Sequence, residues 1–207
     1  MVLIIDYQMG NVGSVKNALD FLGVENKISN VLTDIKRATH LILPGVGSFG
    51  EGMKKLKKLG LIDTLKEEVV DNKKPFLGIC LGMQLLAQNG EEGGLNSGLG
   101  WIDGRTKKFN INEKKFTIPH VGWDDIFIND KEESLFKGIN SNVFYFAHSY
   151  IFEVKNSKNI AAFCEYGEKF CAVVKKDNIL GTQFHPERSQ KSGLKILENF
   201  LTAKLFS

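Results

Sequence analysis

The sequence contains little cysteine, with three residues in a chain of 207, and little histidine, with four. An odd number of cysteines fits no disulfide framework and favours a reducing, cytoplasmic setting. Cys164 and Cys171 lie in apolar, strand-like runs and are predicted to be core residues. No group of cysteines and histidines has the spacing of a metal site. We therefore expect neither a metal nor a cofactor.

The chain also lacks long hydrophobic runs and a dominant charge. Its apolar start, Val2 to Ile5, breaks at Asp6, so we expect neither a signal peptide nor a membrane span. Its 27 basic and 24 acidic residues give a net charge of +3, which is too even to predict binding to nucleic acid or membranes. A length of 207 residues with 43% hydrophobic content predicts a single domain, residues 1–207, with a substantial core.

What the sequence does contain is an alternation of strand-like and helix-like segments. Val2 to Tyr7, Val24 to Ile28 and Leu41 to Leu43 are typical of buried strands. Helical periodicity follows the first strand, from Asn11 to Leu22, and returns within Leu56 to Val70. Such alternation predicts an α/β fold with a mainly parallel central sheet flanked by helices.

The pattern changes after residue 88. Asn89 to Gly100 holds five glycines and is predicted to be a surface loop. From Ile102 to about Leu180 the chain is rich in short β-like runs, such as Val143 to Phe146 and Ile160 to Tyr166. A helix returns at Gly193 to Leu201. We therefore expect additional antiparallel strands beside the parallel sheet.

The first motif that indicates chemistry is Gly78-x-Cys80-x-Gly82, between a predicted strand, Phe76 to Ile79, and a predicted helix, Met83 to Gln88. This is the pattern of a nucleophile elbow with sulfur in place of the serine oxygen. Glycines permit the tight turn, and a helix N-terminus favours the thiolate form of cysteine. The alternative is a buried cysteine in an ordinary glycine-rich turn.

A second motif is His185-Pro186-Glu187, which follows the predicted strand Ile179 to Phe184. In an extended chain the side chains of His185 and Glu187 point to the same face, and Pro186 disfavours coiling between them. Cys80, His185 and Glu187 would then form a nucleophile, a base and a group that orients the base. The alternative is a surface histidine followed by an acid that caps a helix.

The third motif is the glycine-rich loop Pro44 to Gly50, which follows an apolar strand. Attack on a carbonyl group creates an oxyanion, which preorganised backbone N–H groups stabilise. The loop offers one such group, from Val46 or Gly47, and the elbow offers another, from Leu81. A phosphate-binding loop is disfavoured because the loop lacks a Gly-Lys-Ser/Thr ending; an ordinary turn remains an alternative.

These motifs, in this order, resemble those of the class I, or triad, glutamine amidotransferases. Further segments narrow the resemblance to the glutaminase subunits of imidazole glycerol phosphate synthase, an enzyme of histidine biosynthesis. The resemblance runs from Val2 to about Phe200 and is carried by Ile5–Asn11, Pro44–Gly47, Gly78–Gln84, Tyr145–Tyr150 and His185–Gln190.

The resemblance implies a glutamine-binding pocket around the nucleophile. By motif match its residues are Gln84, His148, Ser149 and Tyr150, and Glu92 is a further candidate for binding the α-amino group of glutamine. The alternative is an aromatic core strand for the 145–150 segment and a solvated loop acid for Glu92.

The resemblance also implies a surface that faces a partner subunit, with Gly10, Asn11 and Trp123 as candidates. For Asn11 the alternative is a simple helix cap. Because the glutaminase pattern occupies essentially all 207 residues, we expect the ammonia acceptor on another chain. In the resembled synthase that chain is a (β/α)8-barrel, HisF-like cyclase, which forms a heterodimer and makes imidazole glycerol phosphate and AICAR. We expect low activity of the free subunit.

Two positions depart from the family pattern: Gln8, where a small residue is usual, and Asp124, where Asn is usual. Related subunit pairs supply ammonia for nucleotide-sugar or surface-glycan amidination, and this is one alternative function. A stand-alone cysteine peptidase or γ-glutamyl hydrolase is a second. A binding module of the same fold with an inactive triad is a third.

Overall fold

The computed structural model describes residues 1–130 and 134–202. Its centre is a nine-stranded mixed sheet whose strand order places β4 and β13 side by side in the middle. From one edge to the other the strands are β2 (Asn26–Ser29), β1 (Val2–Ile5), β3 (His40–Gly45), β4 (Phe76–Cys80), β13 (Ile179–Thr182), β12 (Glu168–Lys176), β11 (Ile160–Tyr166), β8 (His120–Ile128) and β9 (Val143–His148).

This sheet has a parallel half and an antiparallel half. The parallel half runs from β2 to β13, and every neighbouring pair in it is parallel. The antiparallel half runs from β12 to β9 and is joined to β13 by an antiparallel pair. The fold is therefore α/β with a large mixed sheet, as the sequence predicts.

Helices cover both faces of the parallel half. Along β1, Val2 and Ile4 face the cluster that includes α1 (Val12–Phe21) and α6 (Gln190–Leu201), whereas Leu3 and Ile5 face the opposite cluster. The helices on that second face are α2 (Leu32–Arg37), α3 (Phe49–Lys58), α4 (Leu61–Lys66) and α5 (Leu81–Gln84). Because both faces are covered, β1 and β4 are buried along their whole length.

A second, smaller sheet of four strands lies beside the first. One of its strands begins at the candidate pocket residue Tyr150, and another lies in the chain just after α5. Its strands, in order, are β10 (Tyr150–Val154), β7 (Gly104–Lys108), β5 (Asn89–Gly90) and β6 (Asn96–Ser97). The remaining helical segments are a π-helix, Glu67–Asp71, and 3₁₀ turns at Ser134–Phe136, Ser157–Asn159 and Pro186–Arg188.

Three predicted elements differ from the observed ones. The bounds of the helix predicted at Met83 to Gln88 are wrong. α5 begins at Leu81 and ends at Gln84, because the Gln88 N–H already donates to the carbonyl of Gly104, the first residue of β7. The predicted loop from Asn89 to Gly100 contains β5 and β6. The predicted helical stretch from residue 56 to 70 is interrupted at Gly60, whose φ of 66° ends α3 and starts α4. Among the described residues, no helix is long and apolar enough to cross a membrane.

Candidate active site

Cys80 lies at the turn between β4 and α5 in a strained conformation. Its φ of 52° and ψ of −107° are unusual for a residue with a side chain. The flanking glycines make this turn possible, since a Cβ on Gly82 would collide with the Leu43 carbonyl oxygen and one on Gly78 would meet the Gly82 carbonyl carbon at 2.6 Å. The geometry matches the predicted nucleophile elbow and presents the sulfur at the start of a helix.

His185 and Glu187 meet through a hydrogen bond of 2.9 Å between Nδ1 and Oε1. The contact was predicted, but the reason given for it was wrong. The chain is not extended between the two residues, because Pro186 occupies the first position of a 3₁₀ turn, Pro186–Arg188, where proline's fixed φ is compatible with helical structure. Only His185 itself is extended, and the turn brings the carboxylate back towards its ring.

The backbone of His185 is held on both sides. Its N–H donates to the Tyr145 carbonyl at 2.9 Å, and its carbonyl accepts a hydrogen bond from Ser189 Oγ at 2.7 Å. The Glu187 carboxylate is buried, with its side chain 1% exposed. Among the described residues its second oxygen, Oε2, has no hydrogen-bond partner. Glu187 is thus committed to His185, which is the role expected of a group that orients the base.

Cys80 and His185 form a coupled pair. Burial lowers the pKa of His185, but hydrogen bonds to Cys80 and Glu187, together with the charges of both, raise it to about 10. At neutral pH the His185 ring is therefore protonated, beside the Cys80 sulfur. The Cys80 sulfur also lies 3.7 Å from Gln183 Nε2 and 3.9 Å from the Ala147 carbonyl oxygen.

The other two cysteines have no such environment. Burial, with the charge of Asp124 as the next cause, raises the pKa of Cys164 to about 12. Burial also raises the pKa of Cys171, which lies inside β12. Both thiols are therefore protonated core side chains, as predicted, and Cys80 is the reactive candidate.

The predicted oxyanion donors all lie near the sulfur, but they are not equally available. Leu81 opens α5, where the first N–H groups of a helix have no partner within the helix. The Val46 N–H, by contrast, donates to the Met9 carbonyl at 2.6 Å. Gly47 follows with a φ of 108° that disfavours any other residue. In this conformation the Val46 N–H of the glycine-rich loop is therefore engaged by Met9.

A cavity of about 280 Å³ opens beside Cys80. Its volume suits a small amino acid rather than a large ligand. Every residue predicted to bind the oxyanion or glutamine lines this cavity: Val46, Gly47, Leu81, Gln84, Glu92, His148, Ser149 and Tyr150. Ser48, Pro119 and Ala147 complete the lining.

Several of these side chains already have protein partners. Gln84 is buried and its Nε2 donates to the Tyr150 carbonyl at 2.9 Å and to Gln183 Oε1 at 3.0 Å. Glu92 Oε2 accepts the Phe49 N–H, at the start of α3, at 2.9 Å. Both residues thus shape the cavity wall, and Glu92 keeps one carboxylate oxygen for a further contact.

The candidate partner-facing residues lie at two places on the surface. Gly10 and Asn11 are half-buried beside the Pro44 loop, where a Cβ on Gly10 would meet the Pro44 carbonyl oxygen at 2.8 Å. Asn11 occupies the first cap position of α1 but its side chain makes no capping hydrogen bond, contrary to the alternative prediction. Trp123 is 45% exposed on β8 and lies edge-on to Tyr145. Exposed aromatic side chains of this kind are typical of interfaces.

Besides Ser48, Pro119 and Ala147 of the cavity wall, two residues with polar contacts at the site were not predicted from the sequence. Gln183 contacts the Cys80 sulfur and precedes His185 by two, so the rule that residues i and i+2 share a face could have identified it. His120 lies behind the cavity wall and bonds His148 at 3.1 Å. No local sequence signal marks His120, because its partner is 28 residues away.

Comparison with known proteins identifies the family to which the chain belongs. The model of the family "Glutamine amidotransferase class-I" matches residues 3–204. A subunit named imidazole glycerol phosphate synthase subunit HisH 2 from Methanococcus maripaludis is 50% identical over 97% of this chain and 98% of its own length. HisH 1 of Campylobacter jejuni is 49% identical and HisH 2 of Pseudomonas aeruginosa 44% identical, each over 97% of this chain and 98% of its own.

Solved structures are similar at the level of fold. A crystal structure of a glutamine amidotransferase matches with a TM-score of 0.76 over 97% of each chain, at 20% identity. PurLQS from Thermotoga maritima matches with a TM-score of 0.71 over 97% of this chain and 96% of that one, at 17% identity. At such identities the likeness concerns the arrangement of strands and helices alone.

Proposed function

We propose what this chain does from one premise: it belongs to the class-I glutamine amidotransferase family and, within it, to the HisH subunits of imidazole glycerol phosphate synthase. The chain hydrolyses glutamine to glutamate and ammonia, with Cys80, His185 and Glu187 as the catalytic triad. The observation that supports this most strongly is the strained Cys80 beside a His185 that is paired with the buried carboxylate of Glu187.

The reaction has two halves. The Cys80 thiolate attacks the side-chain amide carbon of glutamine, and the tetrahedral oxyanion collapses as the C–N bond breaks and His185 gives its proton to the departing ammonia. Neutral His185 then removes a proton from water, whose oxygen attacks the thioester. The C–S bond breaks, glutamate leaves, and Cys80 and His185 return to the ion pair. Glu187 holds the ring and stabilises its positive charge throughout.

The oxyanion requires N–H donors placed before the attack. We assign the Leu81 N–H, at the start of α5 beside Cys80, as one such donor. The Val46 N–H can become the second only when it leaves the Met9 carbonyl. We therefore expect the isolated chain to hydrolyse glutamine slowly, and we expect a partner that contacts the 9–11 segment to raise the rate by releasing the Val46 N–H.

The ammonia passes to a partner subunit. We propose that this partner is a (β/α)8-barrel cyclase of the HisF type, that the two chains form a heterodimer in the cytoplasm, and that the cyclase makes imidazole glycerol phosphate and AICAR in histidine biosynthesis. Gly10, Asn11 and Trp123 are the candidate contacts on this chain, and the exposed Trp123 supports a surface of this kind.

A second acceptor deserves a test because the names of the three relatives above each carry a numeral, 1 or 2. We propose as the alternative a paralogous pair that supplies ammonia for nucleotide-sugar or surface-glycan amidination. The glutaminase chemistry is the same in both cases. The experiment measures glutamine hydrolysis by this chain in three settings: by itself, with the histidine-pathway cyclase and its ribonucleotide substrate, and with a second barrel protein. The partner that gives a large rise in the rate identifies the pathway.

The triad is tested by Cys80→Ala in the complex. We expect loss of glutamine-dependent turnover by at least about a thousandfold, because no other group can form the thioester, while turnover with added ammonium salt persists. Cys164→Ala is the matched control and should retain both activities. Loss of ammonia-dependent turnover in a folded Cys80→Ala complex would contradict the division of labour. Rapid hydrolysis of γ-glutamyl peptides by the wild-type chain alone would favour a stand-alone hydrolase instead.

A further inference from the structure

Three titratable side chains form a hydrogen-bonded row behind the wall of the cavity. Asp124 Oδ2 lies 2.6 Å from His120 Nε2, and His120 Nδ1 lies 3.1 Å from His148 Nε2. His148 Nδ1 lies 2.9 Å from the Tyr150 carbonyl oxygen. The His120 side chain is 1% exposed and that of Asp124 is 38% exposed, so the row runs from the surface at Asp124 to the buried His148.

The number of protons in this row follows from what each atom can do. The Tyr150 carbonyl only accepts, so His148 Nδ1 must carry a proton. The two histidines then need one proton between them, and His120 and Asp124 need another. Three contacts require three protons, whereas two neutral imidazoles and an ionised carboxylate hold only two.

We propose that Asp124, His120 and His148 share one extra proton, and that this proton holds the 148–150 segment in place at the glutamine pocket. Asp124 and His120 are thus positioning residues, which act on substrate binding through His148. The link to glutamine rests on the function proposed above; the shared proton does not. When the proton is lost, two lone pairs face each other at one of the contacts and the row must open there.

The row is tied directly to the cavity. His148 and its neighbours Ser149 and Tyr150 line the cavity, and so does Pro119, which precedes His120. The Ala147 carbonyl, next to His148, lies 3.9 Å from the Cys80 sulfur. A shift at the His120–His148 contact would therefore move one wall of the pocket without touching the triad itself.

The extra proton resides between His120 and Asp124 rather than on His148. Burial, only partly offset by the hydrogen bond to the Tyr150 carbonyl and reinforced by the charges of His120 and His185, lowers the pKa of His148 to about 3. Burial also lowers the pKa of His120, and the hydrogen bond and charge of Asp124 raise it only part of the way back. The proton is therefore bound on the acidic side and released as the pH rises towards neutrality.

Few other charged groups face the row. Tyr166 on β11 stacks on the His120 ring, with centroids 4.0 Å apart, and the buried thiol of Cys164 lies on the same strand. His148 is faced by Tyr150 on β10 and, across the cavity wall, by Cys80 and His185. On β8 the neighbouring acid is Asp125. The remaining packed rings, of Phe109, Phe146 and Phe170, are apolar. Among the residues that the structure describes, Asp124 is the one carboxylate hydrogen-bonded to His120.

The test is nitrogen-15 NMR of the histidine rings in the full chain, which has only four histidines, with the Asp124 carboxyl carbon as a second probe. In the wild type we expect His120 to hold the extra proton on the acidic side of its titration and to lose it in one step as the pH rises towards neutrality. In Asp124→Asn the amide NH₂ donates to His120 Nε2, so the row needs no extra proton and His120 stays neutral throughout. Asp125→Asn removes the adjacent exposed charge, and in this variant the extra proton of the row should be lost over the same pH range as in the wild type.

The functional arm is the KM for glutamine in the complex with the barrel subunit. As the pH rises and the extra proton is lost, we expect the KM of the wild type and of Asp125→Asn to rise about three- to tenfold relative to that of Asp124→Asn, which is the factor for one lost hydrogen bond. The pH dependence of kcat should be the same in all three proteins, because it depends on the triad. No extra proton in the wild type at the acid end, or the same titration in Asp124→Asn, would overturn the shared proton. A titration without any change in KM would overturn the positioning role. A chain that titrates as expected but hydrolyses no glutamine would count against the proposed function alone.

Discussion

The parallel and antiparallel halves of the large sheet differ in how far their strands are buried. In the parallel half, β1 and β4 are buried at every residue, whereas β9 alternates between half-buried and buried positions and β8 exposes Val121, Trp123 and Phe127. Helices cover both faces of the first half, and one face of the second is open. A buried strand end can hold a strained nucleophile, while an open face can offer contacts to a partner.

The two halves meet at the active site. Because β4 and β13 are parallel neighbours with Ile79 opposite Thr182, Cys80 comes level with Gln183, just before His185. The parallel half therefore supplies both ends of the triad. The antiparallel half supplies the opposite wall, from β9 and the chain that follows it. We therefore predict that substitutions in the parallel half strongly lower the free energy of unfolding and the glutaminase activity. Substitutions on the open face should affect both only weakly.

The largest effect is expected from Gly82→Ala at the elbow. The new Cβ would collide with the Leu43 carbonyl oxygen of the neighbouring strand, which is backbone and cannot move aside. We expect a loss of about 3 kcal/mol or more in the free energy of unfolding, measured by denaturant titration, together with loss of glutaminase activity.

Gly13→Ala in α1 is the matched control for that change. Apart from its chain neighbours and the backbone of its own helix, no atom of the described residues lies within 4 Å of a Cβ at Gly13. Alanine is also the better helix former, so stability should rise by up to about 1 kcal/mol. If Gly82→Ala were as stable as Gly13→Ala, the elbow would not be the rigid element that the comparison requires.

The next effect is expected from Glu187→Gln, which keeps the shape of the side chain and removes its charge. We expect kcat/KM to fall by about a hundred- to ten-thousandfold, as when the orienting acid of a triad is neutralised. The pH dependence has a definite sign. Glu187 is one of the two groups that raise the pKa of His185 to about 10, so without its charge the imidazolium loses its proton at lower pH.

The measurement for Glu187→Gln is the pH profile of glutamine hydrolysis in the complex. The basic limb, on which His185 must still be protonated to release ammonia, should move to lower pH. Glu153→Gln, at a half-exposed acid that pairs with Arg105 on the second sheet, is the control and should leave the limb in place. An unchanged or higher limb in Glu187→Gln would show that the buried carboxylate does not set the state of His185.

The smallest effect is expected on the open face. Phe127 is 48% exposed and stacks on Phe163 with ring centroids 5.1 Å apart, so Phe127→Ala should cost about 1 kcal/mol or less. Phe144, on the covered side of the same half, is fully buried against Phe184, and Phe144→Ala should cost about 3–5 kcal/mol. Thermal unfolding of both variants measures the difference. Equal losses would mean that the open face is as tightly packed as the core.

Prediction from the sequence was most successful where a local signal is strong. The glycines around Cys80 predicted the elbow, and apolar runs predicted the buried strands of the parallel half. It was least successful where a distant segment decides the outcome. The helix after Cys80 is shorter than predicted because β7 takes over the backbone hydrogen bonds from Gln88 onward, and nothing near residue 88 signals that pairing.

By itself, the sequence determined the kind of fold, the candidate nucleophile and the two residues proposed to act with it, because each depends on residue type, spacing and the period of strands or helices. Only the tertiary structure decided that Gln183 reaches the sulfur, that the Val46 N–H is engaged by Met9 and that Asp124, His120 and His148 form one row. Hydrogen bonds between segments far apart in the chain depend on strand order and register, and strand order is set by how both faces of the sheet are buried together.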